Sequence, residues 1–444
     1  MTRRGRELAL LLLAVVAAAV AYATVFIAQS RVLDPTSLVW GGAFLIIALG
    51  VHTATRRFTP QADPFLVPAT ALLSGLGITM VTRLKPELAS RQTIWLVLAA
   101  CMLVALLKLL PHHRVLEHYK FVIGAGAVLA LLITISPLGY EVNGAQLWLN
   151  LGLFQIQPGE FAKLGMVIFL AAYLYDTREL LGMGLSMKHL GPLLAFWGAA
   201  IALLVLMNDF GTSLLFYGSF LMMLYVATGR AWYVAVGTTA FAAASAAVYM
   251  AAAHVRQRFD VWLDPWKDPQ GTGYQLIQGL FAMADGGLGG RGLGQAYLVT
   301  ESGNTLIPYA HTDFVFAALA DETGFLGAVG VLLLYVVITW RGFAIASRSR
   351  DGFSKLLAFG LSTVFALQVI VIVGGVVRLL PLTGQTLPFM SYGGSSVLAN
   401  FMLIGLLLII SHHTNLERDQ HHSTDGAMAT SGHAPRARRR KART

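Results

Sequence analysis

The sequence predicts an all-α, polytopic membrane bundle of about twelve transmembrane helices, with a long extracytoplasmic loop that contains a re-entrant or interfacial helix. Composition is the first reason. Of 444 residues, 56% are hydrophobic and only 12% are charged, and nearly uncharged stretches recur along the chain. Twenty helical residues span roughly 30 Å, the thickness of the hydrocarbon core. The second reason is an uneven distribution of lysine and arginine between the connecting segments, as expected for a chain threaded repeatedly through a bilayer. The single Cys101 lies in an apolar run, so there is no disulfide framework.

The elements follow in order. The first apolar run, LALLLLAVVAAAVAYATVFI, comes after Arg3, Arg4 and Arg6. It is long and no clear small-residue cleavage site follows, so it reads as a retained helix rather than a signal peptide. Spans are expected near 8–28, 37–54, 64–81, 93–110, 119–136, 161–176, 190–207, 210–228, 232–253, 314–340, 356–377 and 397–411. The spans on either side of MNDFGT are separated by almost no loop. With the N-terminus inside, the inner segments collect most of the basic residues, from Arg3 and Arg56 to Lys355 and the C-terminal tail. The outer segments hold only Arg31, Arg83, Lys85, Arg91, Arg256, Arg258, Lys267, Arg291 and Arg378. Both termini are therefore expected in the cytoplasm. The tail from about 412 is polar, ends in a run of arginine and lysine, lacks apolar periodicity and reads as disordered. Its pairs His412/His413 and His421/His422 have no partner spacing that suggests a metal.

Two outer segments are long, about 137–160 and 254–313. The second holds Trp262, Trp266, Tyr274, Phe281 and Tyr297, which argues against disorder. Its YQLIQGLFAMA stretch is apolar but too short to span. GGLGGRGLG follows; its bare amides and Arg291 suit an anion, and a flexible surface turn is the plainer reading. In QPGEFAK, Pro158 suits a first helical turn, and Glu160 and Lys163 share a helix face. Asp209 and Asp313 each read alone as helix caps. Yet Glu160, Asp209, Asp313, Arg256, Arg258 and Arg291 all fall on the outer side. Such a mixture suits an anionic, hydroxyl-bearing ligand. PLTGQTLPFMSYGGSS adds helix-breaking Pro381, Gly384 and Pro388, and offers hydroxyls at Ser391 and Ser395. One oddity stands out. Asp321 and Glu322 sit inside the apolar run that follows Asp313, where a lipid-facing helix would not tolerate them.

Taken together, NGAQLWLNLGLFQIQPGEFAK, NDFGTSLL, GYQLIQGLFAMADGGLGGRGLGQ, HTDFVFAALADETG and LPLTGQTLPFMSYGGSS resemble the SEDS family of shape, elongation, division and sporulation proteins, in order and spacing. The resemblance covers roughly residues 135–412 and leans to the RodA-like actinobacterial type rather than FtsW or SpoVE. It implies three parts: an additional N-terminal helix pair at 1–60, a membrane core at 61–412, and a disordered basic cytoplasmic tail at 413–444. It also implies a peptidoglycan glycosyltransferase that polymerises lipid II outside the cytoplasmic membrane. Asp313 then matches the essential aspartate of the family, Glu160 and Lys163 its paired charges, and Asp209 the aspartate of a motif in which Asn208 replaces a proline. Leu147 and Ile372 stand where the family often has Arg and Asn.

On that reading Asp313 is the candidate base for a sugar hydroxyl. Arg256, Arg258, Arg291, loop amides or a divalent cation (magnesium or manganese) stabilise the leaving pyrophosphate. One displacement inverts the anomeric centre, and no nucleotide cofactor is needed. The expected partners are lipid II, the growing glycan strand and a class B penicillin-binding protein, because no Ser-x-x-Lys transpeptidase signature lies in an outer loop; no nucleic acid is expected. Two other classes stay open: a transporter that flips the lipid-linked precursor, and a non-catalytic scaffold for cell-wall assembly.

Overall fold

The computed structural model describes residues 2–30, 35–142, 145–150, 152, 154–183, 187–299 and 305–431. Its helices are α1 (Arg3–Ser30), α2 (Pro35–Phe58), α3 (Leu66–Leu84), α4 (Pro86–Leu109), the single turn α5 (Val115–His118), α6 (Lys120–Ile135), α7 (Pro158–Met183), α8 (Met187–Leu206), α9 (Phe210–Thr228), α10 (Ala231–Ala251), α11 (Ala253–Leu263), α12 (Tyr274–Gly286), α13 (Val315–Arg348), α14 (Gly352–Val376) and α15 (Gly394–Ser431). Every expected span has its helix. Among the described residues, nine helices are long and apolar enough to cross a membrane, and α6 and α8 add shorter apolar stretches. The break at MNDFGT is real. Asn208 takes a positive φ of 60°, and Asp209 caps α9 by accepting from the Thr212 N–H at 2.9 Å.

The chain is inverted relative to a soluble protein where it should meet lipid. On α10, Trp232, Val236 and Met250 face outward, and on α13 so do Leu326, Leu333 and Trp340. The centre is built from α7, α14 and α15, whose Phe169, Leu174, Leu357, Leu361, Leu403 and Ile410 are wholly enclosed. Lipid tails are as apolar as leucine, so what holds such helices together is close packing and internal polar bonds.

Those polar bonds gather at two opposite ends. At one end, Glu7 of α1 accepts from Thr55 at 2.8 Å and lies 2.7 Å from His52 Nδ1, both on α2, and is paired with Arg4. There too Asp63 pairs with Arg341, and the Asn415 amide donates to the Gln61 carbonyl at 2.8 Å. At the other end stand the starts of α7, α9 and α15, the segment before α13 and the long loop.

Three features differ from the sequence reading. The 137–160 connection is a small antiparallel sheet of β1 (Gly139–Val142), β2 (Ala145–Asn150) and β3 (Gln155–Ile156), with Tyr140 opposite Trp148 and Leu149 opposite Ile156. The paired strands satisfy one another's backbone groups, as a segment at the bilayer surface requires. Next, α15 does not stop near residue 412 but continues to Ser431. Extending an existing helix needs no new nucleus, so polar residues can ride on from a spanning segment; residues 432–444 lie outside the described residues. Last, α13 is interrupted at Gly324, whose φ is 69° and ψ −172°.

Candidate active site

Asp313 sits in the turn just before α13, its N–H donating to the Tyr309 carbonyl at 3.0 Å. The carboxylate points toward Gly384: a Cβ placed there would stand 3.7 Å from Asp313 Oδ2. The turn is fixed from the opposite strand of chain. Ser391 Oγ donates to the Thr312 carbonyl and accepts from the Leu387 N–H at 2.9 Å, while the Tyr392 N–H donates to the His311 carbonyl at 2.8 Å. The 387–392 turn is itself seated in the bundle, since the buried Tyr335 hydroxyl donates to the Pro388 carbonyl at 2.6 Å. Ser391 thus ties the 387–392 turn to the turn that carries Asp313. Ser395 Oγ accepts from the Gln157 N–H at 2.8 Å and so ties the start of α15 to the start of α7.

Glu160 and Lys163 form the ion pair their spacing suggested, at 2.8 Å, and both are buried. Lys163 Nζ also donates to Gln368 Oε1 of α14 at 2.8 Å, and Gln368 Nε2 donates to the Thr386 carbonyl at 3.0 Å. Asp209 has both oxygens engaged: Oδ1 accepts from the Thr212 N–H and from Gln385 Nε2 at 3.1 Å, and Oδ2 from the Thr212 hydroxyl at 2.7 Å. Gln368 and Gln385 were missed by sequence reasoning. Gln385 lies within the PLTGQTLPFMSYGGSS stretch already singled out and Gln368 on α14 before it, but a glutamine carries no charge signal to find it by.

The candidate arginines separate into three places. Arg258 lies near two of the candidate carboxylates. Its Nη1 donates to the Thr383 carbonyl at 3.2 Å, and its charge bears on both Asp209 and Asp313. Arg256 turns away, to the Met250 carbonyl at 2.9 Å and over the Tyr249 ring. One helical residue apart is 100° of rotation, and two residues put the pair on nearly opposite faces of α11. Arg291 is elsewhere again, paired with Asp285 at 3.0 Å and near Asp321 at 3.6 Å. Arg378 braces the loop, its Nε donating to the Trp262 carbonyl at 2.9 Å at the end of α11.

The glycine-rich stretch is neither an anion cradle nor a loose turn. It crosses α13 backbone to backbone at the Gly324 break. The Arg291 and Gly292 N–H groups donate to the Asp321 and Glu322 carbonyls at 3.1 and 2.9 Å, and the Phe325 N–H donates to the Gly287 carbonyl at 2.8 Å. A Cβ on Gly290 would run into the Glu322 carbonyl. Only glycine permits that approach.

Electrostatics distinguish Asp313. Burial pushes its carboxyl up to about 6, with the Thr312 hydroxyl and the Arg258 charge pulling the other way. Burial also raises Asp209, against the Thr212 bonds and Arg258 and with the Glu160 charge. His311 is held below the ordinary imidazole range by burial and by Lys85, so it is neutral at pH 7, and its Nδ1 has no partner among the described residues. The donor set does not fit a resident divalent cation. Glu160 is taken by Lys163 and Asp209 by three donors, and among the described residues no three ligating side chains converge.

The chain is similar to known proteins along most of its length. The family model for FtsW, RodA and SpoVE, described as cell cycle proteins, matches residues 66–416. The peptidoglycan glycosyltransferase RodA of Mycobacterium tuberculosis H37Rv is 41% identical over 432 residues, covering 93% of this chain and 91% of that protein. Among solved structures, one described as the structural coordination of polymerization and crosslinking by a peptidoglycan synthase complex superposes with a TM-score of 0.67 at 30% identity, over 80% of this chain and 98% of the other. The rod shape determining protein RodA of Thermus thermophilus superposes with a TM-score of 0.55 at 29% identity, over 79% of this chain and 96% of the other.

Proposed function

This chain belongs to the FtsW, RodA and SpoVE family, and from that premise we propose that it polymerises glycan strands from lipid II at the outer face of the cytoplasmic membrane. It is a multi-pass membrane protein and a glycosyltransferase of peptidoglycan synthesis. The observation that carries the finer reading is Asp313. Among the described residues it alone of the three site carboxylates is neither ion-paired nor locked by donors from another element, and it faces Gly384 with Arg258 within electrostatic reach. The orientation rests on the lysine and arginine bias and on the separation of the two polar ends.

The reaction joins a sugar hydroxyl to an anomeric carbon. A hydroxyl is a weak nucleophile, so its proton must leave as the new bond forms. Asp313 accepts that proton. The hydroxyl oxygen attacks the anomeric carbon, the bond from that carbon to the pyrophosphate oxygen breaks, and its electron pair leaves with the polyprenyl pyrophosphate. Arg258 meets the charge that develops there; Arg256 and Arg291 are too differently placed to share the task. One displacement turns an α-linked donor into a β-linked product. Glu160, Lys163, Asp209, Ser391 and Ser395 hold the shape of the site.

The test is purified protein with lipid II, read as glycan ladders on a gel, for the native chain and for Asp313→Asn. Ladders from the first and none from the second support the reading. Movement of labelled lipid II across vesicles without any ladder sinks it and favours a flippase; ladders from Asp313→Asn remove the base. The structurally similar synthase complex coordinates polymerization with crosslinking. A separate crosslinking partner, a class B penicillin-binding protein, therefore belongs to the proposal, and copurification tests it.

A further inference from the structure

We propose that α1, which lies before the 66–416 segment shared with the family, is a positioning element for the loop that carries Asp313. The proposal rests on Asp313 being the base, as above. The contact begins at Gly294. A Cβ on that residue would stand 2.6 Å from Ala28 Cβ and 3.1 Å from Val25 Cα, so the loop backbone lies directly on the outer end of α1. Gln29 Nε2 extends the same contact to the Arg83 carbonyl of α3 at 3.4 Å.

From Gly294 the path runs through a buried ionic knot. The Gly294 N–H donates to Glu322 Oε2 at 3.0 Å. Arg83 Nε donates to Glu322 Oε1 at 2.8 Å, and its Nη2 donates to the Ala296 carbonyl at 2.6 Å. Arg83 is 8% exposed and Glu322 1%. One carboxylate thus joins the loop, α3 and α13. It also resolves the oddity of acidic residues inside an apolar run: the first half of α13 is turned inward, and its acids are met by Arg83, Arg291 and loop amides. An ion pair enclosed in this way is costly to open, because each partner would be left charged and poorly solvated. Displacement of Gly294 is therefore passed to Glu322 rather than absorbed by breaking the knot.

Glu322 lies nine residues beyond Asp313, with the first half of α13 between them. At 1.5 Å per residue that is a rod of about 13 Å. Its near end carries the carboxylate that must meet the hydroxyl, and misplacement by about 1 Å costs on the order of 10² in rate. The outer end of α1 thus buttresses the far end of a short rigid lever.

The experiment uses the full chain with Ala28→Phe, which wedges α1 away from Gly294, together with Arg83→Lys and Arg83→Met. Hydrogen exchange is followed in peptides covering 290–298 and 305–316, and polymerisation of lipid II in parallel. In the Ala28→Phe protein we expect faster exchange in both peptides, kcat lower by roughly tenfold or more, and KM for lipid II within about twofold. Arg83→Lys keeps the charge but loses the fork that reaches Glu322 and Ala296 together, so its kcat falls between that of the native chain and Arg83→Met. Faster exchange at 290–298 alone, with unchanged exchange at 305–316 and unchanged kcat, overturns the proposal and leaves α1 as packing. Should the native chain make no polymer, the functional reading fails separately, and exchange at 305–316 still decides whether α1 is coupled to the Asp313 turn.

Discussion

Replacing Asp313 by Asn tests the chemistry most directly, because Asn keeps the shape and loses only the ability to take a proton. Loss of a general base typically costs about 10²–10⁴ in rate, or about 3–5 kcal/mol of barrier. The pH profile adds a second measurement. A base works only when ionised, and Asp313 titrates at about 6. About one molecule in eleven then has it ionised at pH 5, and about ten in eleven at pH 7. The rate of polymerisation at low lipid II, which reports kcat/KM, should climb about fivefold from pH 5 to pH 6 and about twofold more to pH 7, then flatten. The sign of a second change follows from the causes. Burial favours the neutral acid and Arg258 favours the carboxylate, so Arg258→Gln should move the acid limb toward higher pH. The assay is initial ladder formation in buffers from pH 5 to 8, for the native chain, Asp313→Asn and Arg258→Gln. A flat native profile, or an acid limb that survives in Asp313→Asn, refutes the assignment.

Three further outcomes are expected. Glu160→Gln leaves the buried Lys163 with only Gln368, at a cost of about 3–5 kcal/mol; its melting temperature in detergent should fall below that of the double variant Glu160→Gln/Lys163→Met, and equal temperatures would mean the pair is not coupled. Arg258→Ala should lower polymerisation by about 10²–10³ as a lost donor to developing charge does, whereas Arg256→Ala and Arg291→Ala should retain most activity; a reversed order in the ladder assay would place the pyrophosphate near Arg291 instead. Gly290→Ala should fail to give a monodisperse peak on size exclusion, because its φ of 79° is strained for any other residue and the new Cβ meets the Glu322 carbonyl.

The helices were legible because a bilayer imposes length and apolarity together, and few other structures satisfy both. Even the break between α8 and α9 left a trace, in an Asp that caps one helix directly after an Asn able to take positive φ. The charged residues of the site were legible for the opposite reason: a charge near hydrocarbon is expensive and must have a purpose. That argument finds the residues but not their partners. Nothing local separates Arg256, Arg258 and Arg291, which share a loop and a sign; only the turn of α11 and the crossing at Gly324 send them to three places. Neutral amides escape the argument altogether, which is why Gln368 and Gln385 stayed hidden although each bonds a site charge.

The glycine-rich stretch shows how one composition supports opposite physical readings. Bare amides suit an anion, and flexibility suits a turn, so both readings begin from what glycine lacks. The structure uses the same lack a third way, to bring two backbones into hydrogen-bonding contact beside a carboxylate that needs Arg83. Two sequence features point to that solution when taken jointly. Glu322 inside an apolar run requires a cation, and Arg83 at the outer end of an apolar helix requires an anion. Neither is satisfied by a neighbour in sequence, and the topology puts both on one side of the membrane. Pairing charges by side, before assigning any of them to a ligand, would have removed Glu322 and Arg83 from the list of free groups and left a shorter list in which Asp313 stands out.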